Sequence, residues 1–194
     1  MVHLAREELY SLETYAQERT TFRARVLAAK KQRAVMLGEH VRLLFENRLT
    51  IQYQVQEMLR IEKIFEAAGI EEELEAYNPL IPDGDNWKAT MLIQYEDVSE
   101  RREKLRELLG IENRIWVCVG DHEKVFAIAD EDLERADGSK TSAVHFLRFQ
   151  LPADFINKVK NGEPLSIGVD HPQYRHTIEP IGEKTRASLA ADLS

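Results

Sequence analysis

Apolar residues recur at helical spacing through the first third of the chain. Leu4, Leu9, Leu12 and Tyr15 can line one face of a first helix, and Phe22, Val26 and Ala29 one face of a second. Gly38 predicts a break, after which Val41, Leu43 and Phe45 alternate with Arg42 and Leu44 at the two-residue period of a short strand. The strongest signal is NRLTIQYQVQEMLRIEKIFEAAG. There Leu44, Ile51, Val55, Met58 and Phe65 form an approximately helical stripe, and Gly69 is placed to end it.

Asn78, Pro79, Pro82, Asp83 and Gly84 make a turn-rich connection to WKATMLIQY, a predicted strand. Ser99 is a candidate cap for a helix over RREKLRELLG, with Leu105, Leu108 and Leu109 as its apolar face. IWVCV and VFAIA flank GDHEK as a predicted antiparallel hairpin, and AVHFLRFQL reads as another strand. Pro152 can open the helix ADFINKVK, SIGVD and YRHTIEP read as extended, and RASLAADLS as a helical tail or a mobile terminus. The expectation is an α+β fold: N-terminal helices followed by a mixed or antiparallel sheet with packed helices. The composition shift near 78–86 divides the chain into a helical region, 1–80, and an α+β region, 81–185, with one shared core as an open alternative.

Composition narrows the function classes. The chain has 194 residues, enough for a substantial core without disulfides or a structural metal. Its single cysteine cannot form an internal disulfide, and MVHLAREELYSL lacks the pattern of a secretory leader, so the cytoplasm is the expected location. Apolar runs such as MLIQY and RIWVCVG are too short for a membrane span. The 34 acidic and 26 basic residues leave a formal charge of -8, which argues against nucleic acid as a general partner. Arg23, Arg25, Lys30, Lys31 and Arg33 do concentrate positive charge locally, but at spacings that also suit a solvated helix face.

Two groups of residues carry candidate chemistry. On the long helix, Glu46, Arg48, Gln54, Glu57 and Arg60 form a polar set, in which Glu57 and Arg60 stand three residues apart and can pair. Towards the C-terminus, His145, His171, Tyr174 and His176 offer proton carriers and a phenol, making a candidate pocket against the sheet. His145, His171 and His176 are also the candidate ligands for zinc or another transition metal, although their spacing matches no zinc motif. Cys118 in IWVCV reads as a small strand residue. No Glu-x-x-His pair of the diiron bundles appears, no glycine-rich phosphate loop, no serine-hydrolase elbow, and no cysteine array for a self-contained iron-sulfur cluster.

The segment VMLGEHVRLLFENRLTIQYQVQEMLRIE, followed by YNPLIP, resembles an uncharacterised bacterial family, a domain of unknown function. The resemblance extends over most of the chain, including WKATMLIQYED and the histidine-containing C-terminal region. It implies a bacterial intracellular protein, associated genomically with rubrerythrin-like and iron-sulfur oxidoreductase proteins, and hence with redox or oxidative-stress physiology. It implies no catalytic residue.

The leading expectation is therefore an intracellular accessory or binding protein, with a protein partner in a redox pathway or a small molecule as its ligand. The alternative is a small-molecule enzyme using the C-terminal histidines, with a metal cofactor. A third expectation is oligomerisation through Leu44, Ile51, Val55, Met58 and Phe65. The sharpest expectation places His145 in one pocket with His171 or His176.

Overall fold

The computed structural model describes residues 3–131, 135 and 138–194. One helix, α1 (Leu12–Arg33), stands where two were expected, with Ser11 accepting from the Thr14 amide as its cap. Between Tyr15 and Phe22 there is neither glycine nor proline, so nothing stops propagation. Tyr15, Phe22 and Val26 fall on one face and are buried together, whereas Leu4 and Leu9 precede the helix around a short turn at Arg6–Glu8.

β1 (Ala34–Leu37) and β2 (Val41–Phe45) form a hairpin that pairs Leu37 with Val41. Gly38 sits in its turn at φ +68, a left-handed conformation that favours glycine. Asn47 and Thr50 cap each other reciprocally at the start of α2 (Arg48–Glu62). The helix ends at Lys63, itself left-handed, and not at Gly69, which lies inside α3 (Ala67–Tyr77). The buried line on α2 is Ile51, Val55 and Leu59, four residues apart. Met58 is half-buried, Leu44 belongs to β2, and Phe65, beyond the helix end, is 71% exposed. The expected five-residue stripe is thus not one face.

After the turn come β3 (Asn86–Ile93) and α4 (Val98–Glu107), which is capped by Asp97 and not by Ser99. The remaining elements are β4 (Ile115–Val119), β5 (Val125–Phe126), β6 (Ile128–Ala129), β7 (Val144–Gln150), α5 (Ala153–Lys160), β8 (Leu165–His171), β9 (Tyr174–Ile178) and α6 (Glu183–Ala190). They build two antiparallel sheets, ordered β1-β2-β3-β7-β6 and β5-β4-β8-β9. The protein is therefore α+β. The expected hairpin forms, with Trp116 opposite Phe126, but VFAIA divides at Ala127: β5 stays in the second sheet while β6 crosses to pair with β7.

The inner faces of both sheets share one apolar core with α5 and α6 that runs from Val35 to Leu193. The first sheet takes β1 and β2 from before the 78–86 turn and its other strands from after it. The tail is helical and anchored: Leu189 is buried, and its carbonyl accepts from Trp87 Nε1 at 2.9 Å. A smaller apolar cluster joins Leu4, Ile51, Val55, Leu59, Leu74 and Ile81 beneath α2 and α3. No helix among the described residues is long and apolar enough to cross a membrane.

Candidate functional site

Alternation along β3 sends Trp87, Ala89, Met91 and Ile93 into the core and leaves Lys88, Thr90 and Leu92 on the opposite face of the first sheet. On β7 the same alternation buries His145, Leu147 and Phe149 and turns Phe146, Arg148 and Gln150 outward. Register sets Lys88 against Arg148 and Thr90 against Phe146. Over this outer face lies a cavity of about 670 Å³. Pro79, Leu80 and Phe146 contribute apolar walls, while Lys88, Arg148 and the carboxylates Glu46, Asp83, Asp85 and Glu131 contribute charge.

Glu46 is held at every polar atom. Its amide donates to Lys88 O at 2.8 Å, and its carbonyl accepts from Arg33 Nη2 at 3.0 Å. Arg33 also donates to the Phe45 carbonyl and to Ser188, and it pairs with Asp192, tying the end of α1 and the end of β2 to α6. The Glu46 carboxylate accepts from Thr90 Oγ1 at 2.7 Å through one oxygen and from Thr50 Oγ1 at 2.5 Å through the other. Only 4% of the residue is exposed, and among the described residues no cation lies within ion-pair distance of its carboxylate. Thr50 brings the first turn of α2 to this carboxylate, an electrostatically favourable place for an anion.

Of the other charges of the cavity, Lys88, Arg148, Asp83 and Glu131 are paired, and the exposed Asp85 accepts from Asn86 Nδ2 at 2.8 Å. Arg148 makes a two-pronged bridge to Glu131, 2.7 Å at each contact, which holds the Glu131 carboxyl below its usual range. Lys88 donates to Pro79 O at 2.7 Å and to Asp83 Oδ2 at 3.0 Å. Burial pushes the Asp83 carboxyl up, but hydrogen bonds from Asn86 and Lys88 outweigh it, and the carboxyl lies below its usual range.

Behind the edge of the groove, a buried set joins Asp130, His145, Thr141 and Glu112. His145 is 0% exposed. Its Nδ1 lies 2.5 Å from Asp130 Oδ2, and its Nε2 lies 2.7 Å from Thr141 Oγ1 and 3.1 Å from Ser142 O. The Thr141 hydroxyl donates its proton to Glu112 Oε2 at 2.9 Å, so Nε2 carries a proton and is the donor on that side. Asp130 Oδ1 accepts from the Phe146 amide at 3.0 Å, and the Asp130 backbone is left-handed at φ 50. This set anchors Asp130, the residue next to Glu131, behind the groove.

The predicted residues are dispersed. Glu46 lies in the groove. Arg48 pairs with Glu8 at 2.5 Å on the surface, Gln54 is half-buried on α2, and Arg60 is exposed. Glu57 bonds Arg19, through contacts of 2.8 Å, and Tyr15, at 2.7 Å. Arg19 holds the Glu57 carboxyl down at about 2. His171 bonds the Leu109 carbonyl at 3.2 Å. Tyr174 donates to Leu37 O at 2.6 Å and accepts from the His40 amide at 3.1 Å, and its ring centre lies 4.6 Å from that of His176. Tyr174 and His176 thus meet at the β1–β2 turn, where a Cβ on Gly38 would come 2.6 Å from each.

Among the described residues, no hydrogen bond or ring contact joins His145 to His171, Tyr174 or His176. Nor do any three His, Cys, Asp or Glu side chains converge there as a metal site. Both ring nitrogens of His145 are engaged. Burial pushes the Cys118 thiol up, which disfavours the reactive thiolate, and its Sγ donates to His122 O at 3.0 Å.

Lys88, Thr90, Phe146, Arg148 and Glu131 were not among the residues expected from sequence. Their two-residue period is visible in KATML and HFLRFQ, but a polar strand face over a groove has the same pattern as one facing water.

Fold and site together define a two-sheet α+β protein with a helical N-terminal layer and a mixed polar and apolar groove on the outer face of one sheet. The chain belongs to the family described as "Protein of unknown function (DUF3501)", whose profile matches residues 3–193. It is similar, at 54% identity and a TM-score of 0.93, to a crystal structure at 1.90 Å resolution of a novel protein of unknown function from Burkholderia pseudomallei K96243. That match covers 98% of this chain and 99% of the other. Comparison with curated proteins returns no match.

Proposed function

We propose that this chain is a binding protein that holds a small molecule in the groove over β3 and β7, and that it serves as an accessory factor and not as a catalyst. The observation that carries this reading is the groove itself. A cavity of about 670 Å³ has apolar walls and a few fixed polar groups, the usual constitution of a small-molecule site. The buried set behind the groove's edge, Asp130–His145–Thr141–Glu112, is hydrogen-bonded within itself and does not line the cavity, which suits a positioning role better than proton transfer to a substrate. The link to redox or oxidative-stress physiology, a bacterial cytoplasmic location and a protein partner in a redox pathway belong to this proposal as well. With one cysteine, the chain would take part in such a pathway by binding and not by carrying a cluster of its own.

An assigned amide NMR spectrum, titrated with small neutral aromatic and aliphatic fragments, tests the reading. The expected result is saturable shifts clustered at Lys88, Ala89, Phe146 and Leu147. Saturable binding that maps to the α1–α2 surface or to the second sheet, with the groove amides unmoved, would overturn it.

A further inference from the structure

Among the described residues, Glu46 and Asp85 are the carboxylates of the groove with no cation within ion-pair distance, and of the two only Glu46 is buried. Lys88 and Arg148 are matched by Asp83 and Glu131, and at the margin Arg135 lies 3.5 Å from Asp130. Four carboxylates against two cations leave the lining negative by two charges. Glu46 is also the most enclosed of them, and its two hydroxyl partners supply dipoles but no charge. Each carboxylate oxygen has a second lone pair, so both oxygens can still accept a further donor. Taking a carboxylate from water is costly unless a cation and hydrogen bonds replace the water. The apolar walls stand beside this charge, and the Phe146 ring already carries the Arg135 guanidinium 4.6 Å from its centre. The chain's net charge of -8 favours the approach of a cation and opposes that of an anion.

From this we infer that the groove takes an organic cation: a small molecule with a protonated amine that pairs with Glu46 and an apolar body that packs on Leu80, Pro79 and Phe146. The inference rests on the reading of the groove as the binding site and names the class of its ligand. Thr50 and Thr90 orient the carboxylate, each occupying one lone pair, so that the remaining pairs face the ammonium group. No bond is made or broken.

Phenethylamine and phenylacetate, near-equal in shape and opposite in charge, are the probes. At neutral pH, phenethylammonium should shift the Lys88, Thr90 and Phe146 amides saturably, with an affinity that falls as salt is raised, and phenylacetate should not. Glu46→Gln should weaken phenethylammonium by roughly tenfold or more, the scale of one hydrogen bond to a charged group. Should that variant fail to fold, the contrast between the two probes on the wild-type chain decides alone. Phenylacetate binding in the groove as well as or better than phenethylammonium would overturn the cation inference and leave the groove reading standing. Failure of phenethylammonium to shift these amides would also overturn it, and the neutral fragments then decide the groove reading separately.

Discussion

His145 Nδ1 and Asp130 Oδ2 lie 2.5 Å apart, with the imidazole wholly enclosed and its other nitrogen directed at Thr141 and the Ser142 carbonyl. The pair closes the connection between β6 and β7 on the core side, while Glu131, the next residue after Asp130, bridges Arg148 on the groove side. His145→Ala removes the partner of a buried carboxylate and of Thr141. It should lower the unfolding free energy by about 3–5 kcal/mol. Urea unfolding measures this, and a loss under about 1 kcal/mol would contradict a closed hydrogen-bonded set.

Glu57 supports α1 against α2 through Arg19 and Tyr15, and its carboxyl is held at about 2, against an ordinary value of 4.5. Because the folded value is the lower one, the contribution is complete above the unfolded value and disappears as pH falls from there through the folded value. Glu57→Gln should therefore cost about 1–2 kcal/mol at neutral pH after allowance for solvent screening, and less at each step from about pH 5 towards pH 3. Paired unfolding curves of variant and wild type check the sign: a difference that grows on acidification refutes it.

Arg33 donates to two carbonyls at the end of β2 and to Ser188, and it pairs with Asp192. Burial pushes the Asp192 carboxyl up even beside this guanidinium. Arg33→Met should destabilise the chain by about 3–5 kcal/mol, since it leaves buried acceptors and a carboxylate without their donor. Arg33→Lys should recover little, because one ammonium cannot span three directions. Thermal unfolding of both variants, with full recovery by lysine as the contrary result, settles the point.

Gly168 faces Trp116, and a Cβ there would stand 2.3 Å from the ring atom Cζ2. The ring is buried, so it cannot simply swing into water. Gly168→Ala should cost about 1–3 kcal/mol through displacement of the ring, and it should change the fluorescence of one of only two tryptophans. An unchanged emission spectrum with unchanged stability would mean that Trp116 does not lie over this strand.

Most strands were legible because their signals are local. The two-residue period of WKATMLI and HFLRFQL survives in β3 and β7, and Gly38 marks a turn by its backbone freedom. Helix ends were less legible. Asp97 and Ser99 are both competent caps, and only the backbone path selects Asp97. Lys63 adopts a left-handed conformation without any residue signature, while the expected stop, Gly69, continues within a helix.

The candidate site was legible in one residue, Glu46, and there only as part of a helix face. The histidine grouping failed to anticipate the contacts of His145 because sequence proximity and shared chemistry say nothing about which face of which sheet a side chain occupies. By itself the sequence determined the α+β class, the alternation of the strands and the negative charge, since each follows from local spacing or from composition. Only tertiary structure decided that VFAIA is shared between two sheets, that His145 meets Asp130, and that Glu46, Lys88, Phe146 and Arg148 line one groove. These depend on strand order and register, which bring together residues up to about a hundred positions apart through contacts that no local pattern encodes.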